Sequence, residues 1–224
     1  MNAAARIARH RAALGKRLGL RGDDALIVVD VQRDFLPGGS LAIPAGDDVV
    51  VPLSAYIAAF DAHNLPIFLT RDWHPENHCS FRNAGGRWPP HCVQGTPGAQ
   101  WPAELKIPVH ARIVSKGTDV SIDAYSGFTG TSLLTILQEL GVRRLFIGGL
   151  ATDYCVHDTV MDARQHGFEV VVLADAIRGV NAEPGDATRS IREMLSRGAT
   201  LFQPSATRGG SLRMRGKVAP SSVS

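Results

Sequence analysis

The sequence predicts an α/β protein: a doubly wound, six-stranded parallel sheet with helices on both faces. Three observations carry this expectation. Six short apolar runs recur along the chain, helical patterns separate most of them, and polar residues with useful chemistry follow the runs, as repeated βαβ units require. At 224 residues, 44% hydrophobic and 20% charged, the chain suits one large domain with a substantial core better than two small ones.

Ala25 to Val29 reads as the first strand. Asp47 to His63 has the spacing of an amphipathic helix, and Pro66 to Thr70 reads as the second strand. From Arg71 to His110 the chain is rich in Pro, Gly, Trp and His, and long irregular segments inside compact domains are usually functional. Arg112 to Ser115 is a weaker third strand. Thr131 to Leu140 reads as a helix closed by Gly141, Arg144 to Ile147 as the fourth strand, and Thr152 to His166 as a helix ended by Gly167. Glu169 to Leu173, a helix over Pro184 to Arg197, and Ala199 to Phe202 complete the pattern. The expected organisation is a single domain over residues 23–206, flanked by a basic helical extension at 1–22 and a basic, Gly/Ser-rich flexible tail at 207–224.

The net charge of +3 suggests affinity for polyanions until the charges are located. Six basic residues and no acid lie in residues 1–22, and four more without an acid lie in 207–224, so the body holds 14 basic against 21 acidic residues. A nucleic-acid partner would rest on the termini alone, and none is expected. No run approaches the roughly 20 apolar residues that span a bilayer, so no membrane partner is expected either. Three cysteines, Cys79, Cys92 and Cys155, lack zinc-finger spacing. An odd count without a secretory leader fits a reducing, cytoplasmic setting and leaves a thiol free to react.

In doubly wound sheets ligands bind beyond the carboxyl ends of the strands. Asp30 follows the first strand, Asp72 and His74 the second, Lys116 the third, and Gly148-Gly149-Leu150-Ala151-Thr152-Asp153-Tyr154-Cys155 the fourth. Cys155 falls at the first turn of a helix, where free N–H groups and the helix dipole favour a thiolate; alone, a small buried Cys also simply packs. The N–H groups of Ala151 and Cys155 in the same turn would serve as donors to a developing oxyanion. Asp30, at the border of a dry core, suits a general base; the alternative is that it only caps a turn with Gln32 or Asp34. Lys116 would partner Asp30 or activate the thiol. The segment from Asp72 to His78, with His91 beyond, offers the carboxylate and imidazoles of a divalent-metal site or a hydrogen-bonded loop. A nucleotide-binding domain would want Gly-x-Gly-x-x-Gly after the first strand, where this chain has Asp30-Val31-Gln32-Arg33-Asp34-Phe35.

That string, followed by Pro37-Gly38-Gly39-Ser40-Leu41, resembles the amino-terminal motif of the nicotinamidases, within the isochorismatase-like cysteine hydrolases. Thr70-Arg71-Asp72-Trp73-His74-Pro75, Trp88-Pro89-Pro90-His91-Cys92-Val93, Ser115-Lys116-Gly117, Ala124-Tyr125-Ser126-Gly127-Phe128 and Gly149 to Val156 extend the resemblance, in order and at fitting spacing, over about residues 24–203. It implies the isochorismatase-like sheet with Rossmann-like order. It implies a triad of Asp30, Lys116 and Cys155, an oxyanion hole at Ala151 and Cys155 with a cis Leu150–Ala151 peptide, and a ring pocket lined by Phe35, Trp88 and Tyr125. One divalent ion, zinc first and iron or manganese next, would sit on Asp72, His74 and His91, with His78 a candidate fourth ligand. The implied activity is hydrolysis of nicotinamide to nicotinate and ammonia through a thioester, in NAD salvage, by a protein whose partner is a small molecule and which could form a homo-oligomer. The rival expectations are another amidase of the superfamily and a catalytically inactive metal-binding protein. Cys79 and Cys92 match no catalytic position, and the termini lie outside the resemblance.

Overall fold

The structure, a computed structural model, describes residues 14–204. Residues 14–18 are helical, but the expected leader helix does not continue to residue 22: it ends at Gly19, whose φ is +59°, while residues 1–13 and the tail from Thr207 onward lie outside the described residues. Six parallel strands form one sheet: β1 (Asp24–Val29), β2 (Ile67–Asp72), β3 (Arg112–Lys116), β4 (Arg144–Leu150), β5 (Glu169–Arg178) and β6 (Thr200–Phe202), in the order β3-β2-β1-β4-β5-β6. The expected doubly wound, Rossmann-like order is present, and its reversal falls between β1 and β4, where such sheets open a crevice.

Side chains of β1 alternate between the two faces, as the two-residue period of a strand requires. Leu26 and Val28 join one core with Leu53, Tyr56, Ile57 and Phe60 of α1 (Val50–Ala62). Ala25, Ile27 and Val29 join the opposite core with Leu133 and Leu137 of α2 (Leu133–Glu139), Val156 and Val160 of α3 (Cys155–Gln165), and Met194 of α4 (Asp186–Ser196). β1 is therefore buried on both faces, which explains its unbroken apolar run.

Several boundaries differ from the sequence expectation, each for a physical reason. β2, β3 and β4 run on to Asp72, Lys116 and Leu150, because polar or glycine positions there still pair in the ladder, as Asp72 does with Lys116. β5 passes Leu173 and reaches Arg178: the pairing with β4 shifts register between Ile147 and Gly149 and then resumes at Ile177 and Arg178. The interrupting Asp175 accepts the Tyr56 hydroxyl at 2.7 Å. Helices α2, α3 and α4 begin two to three residues later than expected, since the preceding residues form turns and caps. Thr131 Oγ1 accepts from Leu133 N–H, and Ala151 O accepts from both Tyr154 and Val156. Helix α1 starts at Val50, not at Asp47, after a 3-10 turn over Gly46–Val49. It is not amphipathic: small alanines and an exposed Val51 occupy its outer side.

Gly149 sets the end of β1. Its φ is +132°, and a Cβ there would stand 2.0 Å from Val29 O, immediately before Asp30. A side chain at this position must push β1 away from β4. Gly149→Ala is expected to lower the free energy of unfolding by about 1–3 kcal/mol, read as a shift in urea midpoint. An unchanged midpoint would show that the close approach is not required.

Candidate active site

Four elements converge at the carboxyl edge of the sheet. Asp30 follows β1 with φ at +48°, Asp72 closes β2, Lys116 closes β3, and Cys155 opens α3. All four are buried. Lys116 Nζ donates to Asp72 Oδ1 at 2.5 Å, to Ala124 O at 3.0 Å and to Cys155 Sγ at 3.4 Å. Its three protons are thus committed. It also lies 2.8 Å from Asp30 Oδ2, but off the direction of a hydrogen bond, so Oδ2 remains a buried acceptor without a hydrogen-bond partner. Asp30 Oδ1 is held by the Thr70 hydroxyl at 2.6 Å. One oxygen of Asp30, one of Asp72 and Cys155 Sγ lie within 4.8 Å of one another.

These neighbours set the protonation states. Burial raises Asp30 above the ordinary carboxylate range and Asp72's charge reinforces it, while Lys116 opposes. At Asp72 burial acts in the same direction, but Lys116 and the adjacent histidines outweigh it and hold the group below that range. Burial works against a charged Lys116, yet Asp30 and Asp72 keep it protonated far above its usual range. The Cys155 thiol is pushed well up by burial, with Lys116 opposing and both carboxylates adding to the rise. Burial thus opposes the thiolate that the helix end is expected to favour. The helix start positions the sulfur, and a base must remove its proton.

In the turn that carries Cys155, the N–H groups of Ala151 and Cys155 are taken by no acceptor among the described residues. The Leu150–Ala151 peptide is cis. The neighbouring Thr152 N–H is bonded to Arg178 O, and Asp153 accepts the N–H groups of Val180 and Asn181 at 2.8 and 2.7 Å. The turn is thus tied to the end of β5, with two donors left over.

Asp72, His74 and His91 form the second half of the site. Asp72 Oδ2 lies 3.6 Å from His74 Nε2 and 3.9 Å from His91 Nε2, spacings near those of donor atoms sharing one ion at about 2 Å. Each imidazole turns Nδ1 to a backbone carbonyl, His74 to Gly117 at 2.9 Å and His91 to Pro89 at 2.8 Å. Nδ1 then carries the proton and Nε2 presents its lone pair, as metal-bound histidines are oriented. Burial works to lower both imidazoles; the nearby Asp72 carboxylate reverses this at His74, and at His91 burial prevails. Gly117 is required beside Lys116, because a Cβ there would stand 2.4 Å from the His74 ring. The donor set fits one divalent metal ion. His78 does not join it: Nδ1 faces Ser80 Oγ at 2.7 Å, Nε2 faces Ile122 O at 3.1 Å, and the ring packs at a tilt on His74 with centroids 4.1 Å apart.

Between the two halves lies a small pocket with about 380 Å³ of empty space when its open mouth and the solvent there are included. Phe35, Trp88 and Tyr125 line it as expected, and Asp72, His91, Ala151 and Cys155 reach its wall. Sequence reasoning missed Leu41, Ile43, Tyr154 and Val180. Tyr154 could have been found from its place beside Cys155, and Val180 only by recognising that β5 continues. Cys92 is buried and Cys79 partly so; neither lines the pocket.

A buried thiol, an adjacent carboxylate and an ammonium on a Rossmann-like sheet define a cysteine-hydrolase type of site. Residues 24–203 match the model of the isochorismatase domain, and the chain belongs to that family. It is 38% identical over 199 residues to the nicotinamidase of Escherichia coli (strain K12), spanning 80% of this chain and 93% of that protein. Among solved structures, the pyrazinamidase of Pyrococcus horikoshii in complex with zinc is 51% identical with a TM-score of 0.78, covering 81% of this chain and 99% of that one. PnC1 from L. infantum in complex with nicotinate is 39% identical with a TM-score of 0.75, covering 81% and 93%.

His74→Ala and His91→Ala are each expected to lose stoichiometric metal, whereas His78→Ala retains about one equivalent. Elemental analysis of the purified proteins checks this. Full occupancy in the first two, or loss in the third, would overturn the ligand set.

Proposed function

We propose that this protein hydrolyses nicotinamide to nicotinate and ammonia by cysteine nucleophilic catalysis. The observation that carries the reading is the buried Asp30–Lys116–Cys155 cluster, which shares with the unpaired N–H groups of Ala151 and Cys155 an aromatic pocket beside Asp72, His74 and His91. The nicotinamidase and pyrazinamidase relatives, and the nicotinate held by the L. infantum protein, support the choice of substrate.

Asp30 Oδ2, free of a hydrogen bond, takes the Cys155 proton, and the raised affinity of that carboxyl for a proton matches the task. The sulfur attacks the carboxamide carbon, and the oxygen moves under the N–H groups of Ala151 and Cys155 as it gains charge. Asp30 then gives its proton to the departing ammonia, leaving a thioester on Cys155. Water hydrolyses that thioester with Asp30 again as base. Lys116 stays protonated throughout, offsetting the charge that passes between Asp30 and the sulfur. Phe35, Trp88 and Tyr125 enclose the ring, and its orientation brings the amide to the thiol.

Asp72, His74 and His91 would hold the metal ion, which when bound supplies a positive centre for the pyridine nitrogen. Zinc is the ion this donor set and the zinc-bound relative favour, with iron and manganese accepting the same ligands. The proposed setting is NAD salvage in the cytoplasm, with the small molecule as partner and a homo-oligomer open to test.

Purified protein is expected to release ammonia from nicotinamide. Cys155→Ala should abolish turnover while keeping fold and metal content. Asp30→Asn, which preserves shape, should lower the rate by about 10²–10⁴. Near wild-type kinetics in either variant would overturn the assignment.

A further inference from the structure

Arg87 takes no part in the chemistry above and is exposed, yet it braces the pocket. Its guanidinium lies 4.4 Å from the Trp88 ring centroid and 5.6 Å from that of Tyr154, and donates to the Tyr154 hydroxyl at 3.3 Å. Trp88 and Tyr154 both line the pocket and meet edge to face at 5.3 Å. The Trp88 indole N–H donates to the Tyr125 hydroxyl at 3.0 Å, and Tyr125 lies 5.7 Å from Tyr154. Three pocket rings from three distant segments thus form one bracket. Arg87 is the group that bonds the loop leading to His91 to the residue preceding Cys155.

We propose that Arg87 is a specificity-determining residue: it clasps Trp88 to Tyr154, two rings already in edge-to-face contact, and so fixes the aromatic wall against which one flat heteroaromatic ring must fit. The inference rests on the amidase reading above. A planar guanidinium can stack on one ring while bonding the hydroxyl of another; an ammonium cannot do both. Arg87 touches no reacting group, so the clasp favours bound substrate and transition state equally. Its loss therefore acts on KM and leaves kcat alone.

The test compares wild type, Arg87→Met and Arg87→Lys. Both variants are expected to raise KM for nicotinamide roughly three- to tenfold, with kcat within about twofold, and to narrow the preference for nicotinamide over the two-ring quinoline-3-carboxamide. A second readout needs no turnover: the rate of Cys155 alkylation by a bulky maleimide relative to iodoacetamide, followed on the Cys155 peptide by mass spectrometry, should rise in both variants. Unchanged KM and an unchanged alkylation ratio in Arg87→Met would overturn the proposal. So would full rescue by Arg87→Lys, which would assign the effect to charge, or a fall in kcat at constant KM. If wild type fails to hydrolyse nicotinamide, the substrate reading fails, and the alkylation ratio still decides the clasp.

Discussion

One buried ammonium organises the site. Lys116 bonds Asp72, Ala124 O and Cys155 and stands 2.8 Å from Asp30, in a place where neither carboxylate can rely on water. Two carboxylates this close would otherwise force a proton onto one of them. Removing one partner of such a buried group leaves uncompensated charge and is strongly destabilising. The sheet supplies the geometry: β1, β2 and β3 lie side by side, so their ends bring Asp30, Asp72 and Lys116 together, and the crossover after β4 delivers Cys155.

Asp72 connects the two halves. Its Oδ1 faces the lysine and its Oδ2 faces the histidines, so one carboxylate serves both the thiol cluster and the metal ligands. Its backbone is clamped by the fully buried Gln32, whose amide donates to Asp72 O at 2.7 Å and accepts from Asp72 N–H at 2.8 Å. Gln32 also donates to Ala99 O at 3.0 Å, which ties the strand ends to the long loop. In the proposed reaction, orientation of the ring and attack on the amide would thus be separate tasks of groups that share one anion.

Much of this was legible in the sequence because strand ends are marked by abrupt changes from apolar to polar residues. Asp30 stands at such a change, Asp72 and Lys116 close their strands, Cys155 opens the helix that follows β4, and the structure gathers all four. What the sequence hid is what depends on direction and tertiary pairing. The composition of Asp72 to His91 offers three imidazoles without saying that His78 turns both nitrogens to Ser80 and Ile122. Helix position suggested an ionised Cys155, while burial, which local sequence does not report, raises it. Val180 went unseen because Asp175 and Arg178 break the apolar run of β5, although the ladder continues across a register shift.

The central claim is that Lys116 offsets the charge of Asp30 and Asp72 inside a dry site. A double-mutant cycle of urea unfolding on Lys116→Met and Asp30→Asn measures this directly. Lys116→Met alone should lose about 3–5 kcal/mol, and adding Asp30→Asn should restore a good part of that loss by removing the stranded charge. Simple additivity of the two losses, or a Lys116→Met protein as stable as wild type, would contradict the account.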